Sequence, residues 1–97
     1  MTREKLLAGY REITVGAIEP SQTIHVFTDK GGNAATPEGE LRLAKILVIA
    51  NPPVSDGEVR YRECKNGTPG KEIFSMPIEV FTGEKPNPDG FLFRILK

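Results

Sequence analysis

The sequence predicts a mainly β domain, a small antiparallel barrel of about five to seven short strands with a short helix at its N-terminus. Two observations carry this. The second half of the chain holds four short apolar or alternating runs: Lys45–Ala50, Glu58–Glu63, Ile73–Phe81 and Phe91–Leu96. Each is separated from the next by Pro, Gly, Asn and Asp, which end strands and turn the chain. With 97 residues, the chain forms one domain, 1–97, by default.

Taken in order, Thr2 can cap a short helix with Glu4 in its first turn and Gly9 as its stop; Leu6 and Leu7 are its apolar contacts. Such a helix is at most two turns long, so docking must hold it. Ile13 and Val15 alternate with Glu12 and Thr14, which predicts a first strand that Ala17 and Ile18 extend and Pro20 ends. Thr23–Thr28 is β-branched and aromatic and reads as the second strand. Asp29-Lys30-Gly31-Gly32-Asn33 is a turn, and Ala34–Glu40 a surface loop. Leu41–Ile49 is the third strand. A helix is conceivable across Leu41–Ala50, but Val48 and Ile49 ahead of Pro52-Pro53 favour extended chain.

Glu58–Glu63 alternates, with Val59 and Tyr61 on one face and Arg60 and Arg62 on the other. Asn66-Gly67-Thr68-Pro69-Gly70 connects it to Ile73–Met76. Pro77 splits the run Ile73–Phe81 into two pieces with a tight bend, and Lys85–Gly90 turns the chain into a last strand, Phe91–Leu96. The expected core is Ile13, Val15, Ile24, Val26, Leu47, Ile49, Val59, Tyr61, Ile73, Val80, Phe91 and Phe93.

Composition bounds the function. Lys plus Arg and Asp plus Glu both number 13, so any attraction to nucleic acid must come from a local patch and not from overall charge. No run approaches the roughly 18 apolar residues of a membrane span. The charged start, Met1–Ala8, lacks a signal-peptide core, and the single cysteine, Cys64, cannot form an internal disulfide. Together these predict a cytoplasmic protein that does not engage membranes.

From Lys45 onward the order of pieces resembles a family of small SH3-like β-barrel proteins of unknown function from bacteria and phages. The likeness rests on an apolar strand ending in Ala50, then Val59-x-Tyr61-Arg62, a glycine-bearing hairpin, Pro77-x-Glu79-x-Phe81, and Asp89-Gly90 before a strand containing Phe93-Arg94. It covers about half the chain, residues 45–96, and leaves 1–44 as a diverged or additional part. Where the family usually has Trp and Arg before the proline, this chain has Phe74 and Met76. The resemblance implies an SH3-like barrel and a phage or mobile-element setting.

Five residues stand out as binding candidates. Arg60 and Arg62 share a strand face, with Lys65 and Lys71 in the adjoining hairpin, and form a patch suited to phosphate, acidic protein or RNA. The plainer reading is a solvated face on which Glu58, Glu63 and Glu72 supply partners. Tyr10, at a junction with polar neighbours, is the ring expected to be exposed. Tyr61, Phe74, Phe81, Phe91 and Phe93 suggest an aromatic groove, although alternating aromatics in a small domain are needed for the core.

No catalytic set is visible. His25 is the only histidine and sits in a strand, so a dyad would need Cys64 or a serine beside it. One His and one Cys lack the paired spacing of a zinc site, and no cofactor is expected. Thr68-Pro69-Gly70-Lys71 fails as a phosphate loop because Lys65 and Glu72 stand where Gly and Ser or Thr are needed. The expected function is therefore a non-enzymatic protein-binding module, a phage or mobile-element inhibitor of a host defence system in the manner of an anti-CRISPR protein. The alternative is a nucleic-acid-binding barrel that uses the Arg/Lys patch. Either a monomer or a homodimer is expected, the latter by edge pairing of the 41–49 run.

Overall fold

A computed structural model describes residues 3–32, 39–51, 56–87 and 90–97. The chain runs α1 (Arg3–Leu7), β1 (Tyr10–Arg11), a 3-10 turn (Val15–Ala17), β2 (Thr23–Thr28), β3 (Arg42–Asn51), β4 (Glu58–Lys65), β5 (Thr68–Pro69), β6 (Phe74–Pro77), α2 (Ile78–Thr82) and β7 (Leu92–Leu96). All strand pairings are antiparallel and belong to one sheet, ordered β1-β7-β2-β3-β4-β5, with β6 also paired to β4. The mainly β class is as the sequence predicts.

The sheet is open. No described residue of β5 or β6 pairs with β1 or β7, so the strands do not close into a barrel. Instead α2 bridges the gap: Phe81 packs against Tyr61 of β4 (ring centroids 5.7 Å apart) and against Phe93 of β7 (4.9 Å). Its backbone is anchored by the Ile78 N–H, which donates to the Gly57 carbonyl (2.9 Å). The second piece of the Ile73–Phe81 run is thus a helix, not a strand. Pro77, at φ −57°, ends the β6 ladder and stands at the N-cap of a five-residue turn that buries Ile78, Val80 and Phe81. Gly83, in the left-handed region at φ +83°, stops it.

The first strand also differs from expectation. Only Tyr10 and Arg11 pair, with Leu96 and Ile95; the chain then leaves β7 and coils through the 3-10 turn. The departure drops Ile13 and Ile18 into the core but leaves Val15 54% exposed. Thr2, residues 33–38, 52–55, 88 and 89, which carry the expected helix cap, much of the 34–40 loop and parts of two turns, lie outside the described residues.

β2 is the centre of the sheet, hydrogen-bonded to β3 on one side and β7 on the other. Ile24 through Thr28 are all buried, so both of its faces are covered. Ile24 and Val26 join Leu47, Ile49, Val59, Val80, Phe81, Phe93 and Ile95 in the core. Each such side chain contributes about 1.5–3 kcal/mol when fully buried. His25 and Phe27 point to the opposite side, where the Tyr10 ring packs edge-on to both (5.2 and 5.1 Å). Beyond Thr23 the β2–β3 ladder continues through Ser21 N–H to Ile49 O (2.8 Å) and Ile49 N–H to Gln22 O (2.9 Å).

β3 is paired by β2 over Arg42–Val48 and by β4 over Ile46–Asn51. Ile46–Ile49 are therefore interior to the sheet, whereas Arg42–Lys45 pair with β2 alone among the described residues. The β4–β5 connection is a two-residue hairpin in which Asn66 (φ +51°) and Gly67 (φ +78°) supply the two positive φ angles that the tight turn requires. Ile73, expected in the core, is 51% exposed, because β6 begins after it and pairs from Phe74 onward.

Candidate binding surfaces

The sheet separates the five candidate residues. Arg60 and Arg62 occupy alternate positions of β4 and share its outer face with Cys64. Arg60 is held by Asp56, whose carboxylate lies 3.2 Å from Nη2 and also accepts the Glu58 N–H (3.0 Å). The backbone N–H and then the guanidinium hold the Asp56 carboxyl below the usual carboxylate range. Arg62, opposite Val48 on β3, is exposed. Lys65 and Lys71 are exposed but lie on the other side of the strand, around a depression shared with Glu63, Gly70, Glu72 and Phe74. Tyr10 lies at the far edge of the sheet, half-buried against His25 and Phe27. The structure therefore brings Arg60 together with Arg62, and Lys65 with Lys71, but does not merge these pairs or join Tyr10 to either.

On the inner face, the aromatic residues divide. Phe81 and Phe93 are buried and serve the core. Tyr61, Phe74 and Phe91 are not; with Leu47, Met76 and Lys45 they line a groove of about 110 Å³. Tyr61 and Phe74 stack, with ring centroids 5.7 Å apart and planes at 27°. The Lys45 ammonium stands 5.4 Å above the Phe91 ring, a cation–π distance. The groove is smaller than the roughly 300–1,000 Å³ of ordinary small-molecule sites. It has room for a side chain.

β6 gives this groove its position. Cross-strand pairing sets Phe74 opposite Tyr61 and Met76 opposite Val59, so alternate β6 side chains point to the groove. The other edge of β6 has no strand partner among the described residues. Phe74 is 41% exposed there and Ile73 next to it 51%. Tyr61, Phe74 and Phe91 are three of the five aromatics that the sequence suggested for a groove; the contributions of Lys45, Leu47 and Met76 depend on which strands become neighbours.

His25 does not form a nucleophile pair with Cys64. Both lie at one level of the sheet, but Ile46 stands between them in register, which separates the two backbones by roughly 10 Å. The His25 Nδ1 is buried without a hydrogen-bond partner, and burial lowers the imidazole pKa from its ordinary 6.5. Among the described residues no three His, Cys, Asp or Glu side chains are grouped to hold a metal ion, and no helix is long and apolar enough to cross a membrane. Compared with protein-family models, curated proteins and solved structures, the chain matches none.

Proposed function

We propose that this chain is a non-enzymatic protein-binding module that engages an extended segment of its partner along β6, with an apolar side chain of that segment seated in the Tyr61–Phe74–Phe91 groove. The observation that carries the reading is Phe74: a large ring, 41% exposed, stacked on Tyr61 and placed on a strand edge without a strand partner among the described residues. An open edge offers main-chain hydrogen bonds, and the flanking groove offers side-chain selectivity, which is the logic of strand addition. Pro77 lacks an N–H and limits the edge to a short contact, so the groove must supply part of the affinity. The resemblance of residues 45–96 adds a phage or mobile-element setting, in which such a module inhibits a host defence protein by covering its surface.

A photo-crosslinking amino acid at position 73, compared with one at position 62, tests the reading in lysate of the host cell. Crosslinks to a discrete protein from position 73, lost with Phe74→Ala, support it. Capture that survives Phe74→Ala but is lost with Arg60→Ala plus Arg62→Ala overturns it and moves the site to the outer face.

A further inference from the structure

Phe74 stands between two depressions. One is the Tyr61–Phe74–Phe91 groove. The other, of about 260 Å³, is lined by Glu63, Lys65, Gly70, Lys71, Glu72 and Phe74. Glu63 and Phe74 thus line both, and Phe74 is the one ring of the second. Tyr61 stacks on Phe74 but does not line the second depression, so the ring surface turned to it is not the one that Tyr61 covers. Four formal charges surround this ring, two carboxylates and two ammonium groups. No ion pair or side-chain hydrogen bond joins any of them to another described residue. The carboxylates stand nearer in sequence to the stacked pair. Glu63 follows Tyr61 at the next position on the same face of β4, and Glu72 is two residues before Phe74. Glu63 is half-buried, whereas both lysines are exposed.

From this arrangement we infer that the partner segment carries an arginine at a position alternate to its apolar anchor, an inference that rests on the reading of β6 as the docking edge. The anchor fills the Tyr61–Phe74–Phe91 groove, and the guanidinium lies on the uncovered surface of Phe74 with its N–H fork on the Glu63 carboxylate. Two acids and two bases cancel, so net charge does not choose the occupant; the ring does. The face of an aromatic ring attracts a cation and disfavours a carboxylate. Phe91 already has its cation in Lys45, which leaves Phe74 as the exposed ring without one. A half-buried carboxylate with no donor is matched by the two parallel N–H groups of a guanidinium. Lysine fits less well, because a compact ammonium cannot stack and fork at once. Alternate residues of an extended segment project to one face about 7 Å apart, which suits two depressions with a shared wall. Lys65 and Lys71 at the rim repel further cations, so the site selects a single arginine and not a basic run.

The test selects random phage-displayed peptides on the full chain and, in parallel, on Phe74→Ala, a change at an exposed ring. Peptides enriched on the parent alone are expected to share an apolar residue and an arginine separated by one position. In the best of them, made as a synthetic peptide, glutamine in place of that arginine should weaken binding about tenfold, and lysine should restore only part of the loss. On Glu63→Gln the arginine and glutamine peptides should bind within about twofold of each other. Enriched peptides that keep the apolar residue but show no arginine, or an acidic residue in its place, overturn the inference and leave the β6 reading standing. An arginine preference that persists undiminished on Glu63→Gln does the same. If no peptide prefers the parent over Phe74→Ala, both fall.

Discussion

Tyr10 packs edge-on against His25, with ring centroids 5.2 Å apart and planes at 66°. This contact explains how β2 can be buried on both faces in a domain with one sheet. The short β1 is the edge strand beside β7, and its Tyr10 ring packs on His25 and Phe27 of β2. His25 is enclosed without a partner for Nδ1 and faces Arg94, its register partner on β7. Burial opposes a charged imidazole.

Stability should therefore fall on acidification through the histidine range. Burial lowers the folded-state pKa of His25 from 6.5, so below that pH the unfolded chain binds a proton that the folded chain does not. The contribution is complete above about pH 6.5 and is lost progressively as pH drops toward the folded pKa. Urea unfolding at several pH values between about 5 and 8 measures the slope. His25→Phe should flatten it, and an unchanged slope would place the acid sensitivity elsewhere.

Gly70 marks a close backbone approach. Its N–H donates to the Glu63 carbonyl (2.8 Å), which continues the β4–β5 ladder, and an added Cβ would sit 2.9 Å from that same oxygen. The obstacle is main chain in a paired strand, so relief requires the hairpin to shift. Gly70→Ala should destabilise the domain by about 1–3 kcal/mol. Gly16→Ala, whose Cβ meets nothing within 4 Å, serves as the control and should lie within about 0.5 kcal/mol of the parent in the same urea titration.

The strands that were legible in the sequence are those whose own residues decide the matter. Thr23–Thr28 is β-branched and aromatic, and Glu58–Lys65 alternates up to the Asn66-Gly67 turn that fixes its hairpin. The runs that misled are those decided by what lies opposite. Ile78-Glu79-Val80-Phe81 alternates like a strand, but it follows Pro77 and spans the open side of the sheet, where a helical turn buries three of its apolar residues at once. Ile13 and Val15 alternate too, yet β7 offers β1 only two pairing positions. The binding surfaces were legible only in part for the same reason. Phe74 was one of five aromatics that could line a groove, whereas Arg94 is one arginine in a strand until Glu12 is brought beside it.

The reversal between Ile73 and Phe81 is measurable. Phe81 is 3% exposed and joins β4 to β7 through two ring contacts, so Phe81→Ala should cost about 3–5 kcal/mol. Ile73, 51% exposed, leaves no cavity when truncated, and Ile73→Ala should stay within about 0.5 kcal/mol. Chemical denaturation of both variants decides it; comparable losses would mean that the 73–81 run packs differently.

The outer face makes a separate prediction about nucleic acid. Arg60 is already engaged by Asp56, and Arg62 has no basic neighbour but Arg60 on its own face of β4, since Lys65 and Lys71 lie on the other side. Two guanidiniums, one of them paired, displace few counterions, and the formal net charge is zero. Binding to short single-stranded RNA or DNA should be weak at physiological salt. Its dependence on salt should change little when Arg60 and Arg62 are both replaced by Ala. Fluorescence anisotropy across a salt series tests this. A steep slope that drops by about two upon the double replacement would locate a nucleic-acid site on this face and displace the β6 groove as the principal surface.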